Sequence, residues 1–133
     1  MAFVLDASIA IAWVVPSQAT AYTKRIRLRA RREPYHVPVI FAAEVANVLV
    51  VLERRGILNE PGAEAAAEVL GRLNPIVHPL NLDLPELRRL AKRFGLTAYD
   101  ASYLALALEL RLPVACGDRL LKTALAAAGV KLA

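Results

Sequence analysis

Short apolar runs recur along this chain, and each is separated from the next by helical periodicity. Phe3-Val4-Leu5, Tyr35 to Val39, Ile76-Val77-His78, Val114-Ala115 and Val130-Lys131-Leu132 read as strands. Short apolar strands without clean alternation have to be covered on both faces. That is the condition of a parallel sheet flanked by helices. The pattern therefore predicts an α/β fold around a parallel sheet of about five strands. In such sheets ligands bind beyond the carboxyl ends of the strands, so residues just after a strand are candidates for chemistry.

The stretches between the strands carry helix signals. Ser8 to Val15 reads as a short helix stopped by Pro16, and about Ala19 to Arg32 as a second. Val39 to Arg55 is predicted helical because Phe41, Val45, Val48 and Leu52 recur at helical spacing, and Gly56 stops it after two arginines. Asn59-Glu60-Pro61 starts another helix, ending near Gly71 to Asn74. Asp83-Leu84-Pro85-Glu86 forms a capping box for a helix that reaches Phe94 and closes at Gly95. Thr97 opens the next helix, to about Arg111, with Ala101, Leu104, Ala105 and Leu108 expected inward. Asp118 to Ala128 is the last. No linker, repeat or low-complexity stretch interrupts the series, so residues 1–133 are expected to form a single domain.

Composition narrows the function classes. Hydrophobic residues make up 57% of the chain, above the roughly 45–50% of ordinary domains, which suits a buried sheet or an apolar partner face. No apolar run approaches the roughly 18 residues that cross a bilayer. The apolar start has no basic stretch before it and is interrupted by Asp6, unlike a signal peptide. The single cysteine, Cys116, can make no internal disulfide. A soluble cytoplasmic protein with no membrane association is expected.

Four of the 12 Asp and Glu stand apart from solvated company. Asp6 and Asp118 follow strands, Glu44 lies in the middle of a helix, and Asp100 opens one. Each has a structural reading. Asp6 and Asp118 are natural N-caps, although Ser8 offers a second cap for the first helix. Asp100 stands three residues after Thr97 in a capping-box position, but aspartate reaches back less far than the preferred Glu or Gln. Glu44 caps nothing and has no Lys or Arg three or four residues away to pair with.

Taken together, the four acids constrain the chain more than any one of them does. Two carboxylates about 4 Å apart repel by roughly 4 kcal/mol at an effective dielectric near 20. Several such pairs would consume most of the roughly 5–15 kcal/mol stability of a domain. A converging quartet therefore protonates or holds cations. All-oxygen donors suit Mg²⁺ or Mn²⁺ and not zinc.

Formal net charge is +5; without the quartet it is +5 − (−4) = +9. A basic body around an acidic hole suits a polyanion whose phosphates reach the hole through bound metal, and also suits a solvated surface that keeps an apolar protein dispersed. Arg25, Arg29 and Arg32 align on one helical face, and Arg88, Arg89, Lys92 and Arg93 precede Asp100 closely; both sets are candidate phosphate contacts or solvated faces. His36 and His78 are isolated between apolar residues and prolines and read as structural. Trp13 and Tyr22 read as core or as part of a partner groove.

Four segments together carry a resemblance. Val4-Leu5-Asp6-Ala7-Ser8, Glu44-Val45-Ala46-Asn47-Val48-Leu49, the stretch Leu96 to Ala107 and Gly117-Asp118-Arg119-Leu120-Leu121 resemble PIN-domain ribonucleases. Among these the chain looks most like the toxins of VapBC toxin–antitoxin pairs, over its full length. The resemblance implies a three-layer α/β/α PIN-like fold and a metal-dependent endoribonuclease leaving 5′-phosphate and 3′-hydroxyl ends. It implies Asp6, Glu44, Asp100 and Asp118 as catalytic metal ligands for Mg²⁺ or Mn²⁺, with Ser8 and Asn47 in support. It also implies an RNA substrate, a homodimer, and an antitoxin partner that blocks the acidic pocket. One position departs from the family pattern: Cys116 stands where Thr or Ser is usual, two residues before the last aspartate. A thiol bonds more weakly than a hydroxyl.

Two rival readings come from other classes. A receiver-like phospho-acceptor domain shares the parallel sheet but needs a second N-terminal acid and an Asp after a mid-chain strand, which this chain lacks. A catalytically inert RNA-binding or interaction module would not need all four acids.

Overall fold

In the computed structural model, which describes residues 1–133, the strands are β1 (Phe3–Leu5), β2 (Tyr35–Pro38), β3 (Ile76–His78) and β4 (Val114–Ala115). They form one parallel sheet in the order β3-β2-β1-β4. Parallel neighbours require crossovers, and helices supply them. The helices are α1 (Ala7–Ala12), α2 (Ala21–Ala30), α3 (Phe41–Arg54), α4 (Glu60–Gly71), α5 (Leu84–Phe94), α6 (Ala98–Leu110) and α7 (Arg119–Ala127), with a single 3₁₀ turn at Pro16–Gln18. Together they make the three-layer α/β/α arrangement. No helix is long and apolar enough to cross a membrane.

The sheet has four strands, not five. Val130 to Leu132 pairs with β4 only as an isolated bridge, Val114 to Leu132. β4 is itself two residues long, so the ladder has no room to extend. The other differences lie at helix ends. Val15 precedes Pro16 and takes an extended conformation, so α1 stops at Ala12. Val39 gives its N–H to the His78 carbonyl and belongs to the sheet edge, so α3 begins at Phe41.

The core is centred on β1, whose three residues are fully buried. α6 packs on β1, β2, α5 and α7. It is buried on most of its circumference: Ser102, Tyr103, Leu106 and Ala107 join Ala101 and Leu104 inside, while Leu108 faces outward. The outward Leu108 corrects the expected face, because a helix with neighbours on several sides has no single apolar stripe to read.

One further expectation changes. His36 and His78 are not isolated: they sit on adjacent strands with Nδ1 and Nε2 2.8 Å apart. Trp13 and Tyr22 are tied into the fold, the indole N–H donating to the Thr23 carbonyl at 2.8 Å and the Tyr22 hydroxyl to the Ala133 carbonyl at 3.0 Å.

Candidate active site

β1 and β4 run side by side in register, Leu5 opposite Ala115, and the Asp6 N–H donates to the Ala115 carbonyl at 3.0 Å. Both strands thus deliver their following residues to the same sheet edge. Asp6 leaves β1 and caps α1, accepting from the Ser8 N–H and from the Ser8 hydroxyl. Asp6, not Ser8, is therefore the cap. The Ser8 oxygen in turn accepts from the Gly117 N–H at 3.1 Å, tying the start of α1 to the turn before α7.

Asp118 is exposed and caps α7, accepting from the Leu121 N–H at 2.8 Å. Cys116 is fully buried and its thiol reaches only the Asp118 carbonyl, at 4.0 Å. Burial, then the neighbouring Asp6, pushes that thiol up to about 12, so it stays protonated and behaves as a small core residue. The Asp118 side chain takes its position from the helix end, independently of the thiol.

Asp100 projects from the first turn of α6. The Thr97 hydroxyl accepts from the Asp100 N–H at 3.1 Å, but the aspartate does not return a bond to the Thr97 N–H, so the capping box is half formed. The short side chain is left for the cleft. Glu44, one turn into α3, is half-buried; its Oε1 is fully enclosed and has no hydrogen-bond partner.

All four acids line one cleft of about 230 Å³, together with Ala7, Ser8, Ile11, Gln18 and Val48. None of them is ion-paired to a Lys or Arg; the ion pairs of the chain involve Glu33 alone. The cleft is correspondingly strained electrostatically. Burial, opposed by the Ser8 hydroxyl and reinforced by Asp100 and Asp118, raises the Asp6 carboxyl to about 6. Burial raises Glu44 to about 7, with Asp6 and Asp100 adding to the rise and the Tyr103 hydroxyl opposing it. Burial, then Asp118, raises Asp100.

Ser8 thus lies in the cleft. Asn47 does not: it is exposed on α3, while Val48, one full turn beyond Glu44, faces the acids. Two neighbours escaped the sequence reading. Gln18 reaches the cleft from the 3₁₀ turn. Tyr103 lies beneath it, fully buried; the signal available was its position three residues after Asp100 on one helix. A separate cavity of about 750 Å³ between α5, α6 and the segment Pro79 to Leu82 contains none of the four acids.

The donor set fits a hard divalent cation: carboxylates only, no counter-cation, and one enclosed oxygen without a partner. No three of the side chains, as they stand, close on a single point. This suits an ion that retains several waters, as Mg²⁺ does, more than a fully dehydrated cage.

Residues 3–124 match the PIN domain family model. The chain is 36% identical to Ribonuclease VapC3 of Pyrobaculum aerophilum over 109 residues, 80% of this chain and 82% of that protein. The crystal structure of PAE2754 from Pyrobaculum aerophilum superposes with a TM-score of 0.70 at 27% identity, covering 93% of this chain and 79% of that one. VapBC2 from Rickettsia felis, bound to a DNA fragment from its promoter, shares the fold with a TM-score of 0.60 at 15% identity, covering 89% and 88%.

Proposed function

The chain belongs to the PIN domain family, and from that premise we propose that it is a divalent-metal-dependent endoribonuclease, the toxin of a toxin–antitoxin pair. The observation that carries the reading is the four-carboxylate cleft without a counter-cation. The kinship with Ribonuclease VapC3 supports RNA as the substrate class.

Asp6, Glu44 and Asp100 hold Mg²⁺ or Mn²⁺, directly or through water. When bound, the ion supplies charge neutralisation at the phosphoryl oxygens and lowers the pKa of water. The remaining work falls to the chain itself. Asp118, exposed at the rim, orients the attacking water or binds a second ion. Ser8 holds the Asp6 carboxylate in place through its hydroxyl, and through Gly117 fixes the distance between the two loops that carry Asp6 and Asp118. Of the 17 Lys and Arg, only Arg29 is ion-paired, which leaves a broadly cationic surface to attract the RNA backbone. A homodimer, a cytoplasmic location and an antitoxin that covers the cleft complete the proposal.

The test is cleavage of total cellular RNA with Mn²⁺, with EDTA, and by Asp100→Asn. Cleavage that requires the ion and is lost in the variant is expected. Cleavage that survives both EDTA and the substitution would sink the reading, as would an intact protein that cuts no RNA.

A further inference from the structure

Tyr103 is the largest fully buried side chain of the protein, and its hydroxyl has no hydrogen-bond partner. A buried hydroxyl without a partner costs free energy that phenylalanine of the same shape would avoid. The surroundings of this hydroxyl are specific. The Glu44 carboxylate lies beside it, with the Asp6 carboxylate and the Ala7 backbone close by. The Glu44 oxygen enclosed in the core, Oε1, is itself without a partner. Two polar atoms without partners, one a donor and one an acceptor, thus belong to neighbouring side chains at the floor of the acidic cleft. Tyr103 also follows Asp100 by three residues on α6, so one helix face presents the aspartate to the cleft and the phenol beneath it.

We propose that Tyr103 is a positioning residue for Glu44: its hydroxyl donates to the carboxylate from inside the core and fixes which oxygen is turned outward to a divalent cation. The inference rests on the reading that the cleft holds such an ion. An enclosed carboxylate oxygen can accept only from a donor that comes from the core side, and Tyr103 is that donor. The side chain is anchored on all sides by packing, so its hydroxyl is a fixed reference point, which a surface residue or water would not provide. Outer-shell partners of this kind commonly account for about 10–100-fold in metal affinity.

The experiment is calorimetric titration of wild-type protein and Tyr103→Phe with Mn²⁺, alongside thermal unfolding in EDTA. Mn²⁺ affinity is expected to fall about 10-fold or more in the variant. The melting temperature without metal is expected to change little, since phenylalanine keeps the packing of the ring. In a Glu44→Gln background, Tyr103→Phe is expected to add no further loss, because the phenol acts through Glu44. Unchanged Mn²⁺ affinity overturns the proposal, and so does an equal loss in both backgrounds, which marks a general distortion of the cleft. RNA cleavage by the wild-type protein is read in parallel. A protein that binds Mn²⁺ yet cleaves nothing ends the ribonuclease reading while the affinity ratio still judges Tyr103. A wild-type protein that binds no Mn²⁺ overturns both.

Discussion

Glu44 is the residue at which the proposed function and stability conflict most directly. Its carboxyl is raised to about 7, chiefly by burial, and one of its oxygens is enclosed without a partner. In the metal-free protein above pH 7 it is a desolvated charge beside two other carboxylates. Glu44→Gln is therefore expected to abolish RNA cleavage while stabilising the metal-free protein by about 1 kcal/mol, a rise of a few degrees in melting temperature at pH 8. Calorimetry in EDTA reads the second effect; a lower melting temperature would show that Glu44 is structural. Ser8 predicts the opposite behaviour. Its hydroxyl joins Asp6 to the Gly117 N–H, so Ser8→Ala leaves both without that partner. A loss of about 1–2 kcal/mol in urea unfolding is expected, with weaker cleavage as Asp6 loosens.

The elements that carry these residues are set by local chemistry. α5 has a complete capping box, Asp83 with Glu86, and closes on Gly95 in the left-handed conformation, φ 65°. Both were legible in the sequence because caps are short-range and depend on residue type. α6 shows where such reading needs the structure. Thr97 and Asp100 look like a capping box, but only the threonine half forms, and the aspartate is left for the cleft. Thr97→Ala should cost about 1 kcal/mol of stability, as loss of an N-cap does. It should also speed amide exchange in the first turn of α6, where Asp100 stands. Unchanged exchange at Asp100 and Ala101 would mean that packing alone holds that turn. The rotation of a helix about its own axis is the feature that local sequence sets least. Leu108 was expected to face inward and Asn47 to support the site, and both face solvent instead. The apolar spacing of α3 identifies a face, but a residue at the margin of that face turns inward or outward according to the neighbouring helix.

At the scale of the whole molecule, the acidic cleft couples folding to pH and, under the proposed function, to metal. Asp6 is raised from 3.8 to about 6 and Glu44 from 4.5 to about 7. In the folded protein both keep a proton that the unfolded chain has already released. The unfolded state then binds fewer protons, so stability falls as pH rises. Their contribution is fully present below about pH 4 and is lost by about pH 7. Without metal, the melting temperature should therefore decline between pH 5 and pH 8. A divalent cation bound only by the folded state adds stability in proportion to the logarithm of its concentration over Kd. Mn²⁺ should thus raise the melting temperature more at pH 8 than at pH 5, where protons compete for the same oxygens. A Mn²⁺ effect that is equal at both pH values would place the ion elsewhere.

What the sequence by itself determined was the alternation of buried strands and helices, most of the caps, and the four acids that belong together. The alternation and the caps follow from residue type and short-range spacing; the four acids stand out by their unsolvated company and by the family resemblance. Only the tertiary structure decided the strand order, the reduction of the last strand to a bridge, and the pairing of His36 with His78 across 42 residues. It also decided that Gln18 rather than Asn47 reaches the cleft and that Tyr103 lies under Glu44. The reason is physical: a chain's local pattern sets which face of an element is apolar, while contacts between distant residues depend on how those faces pack.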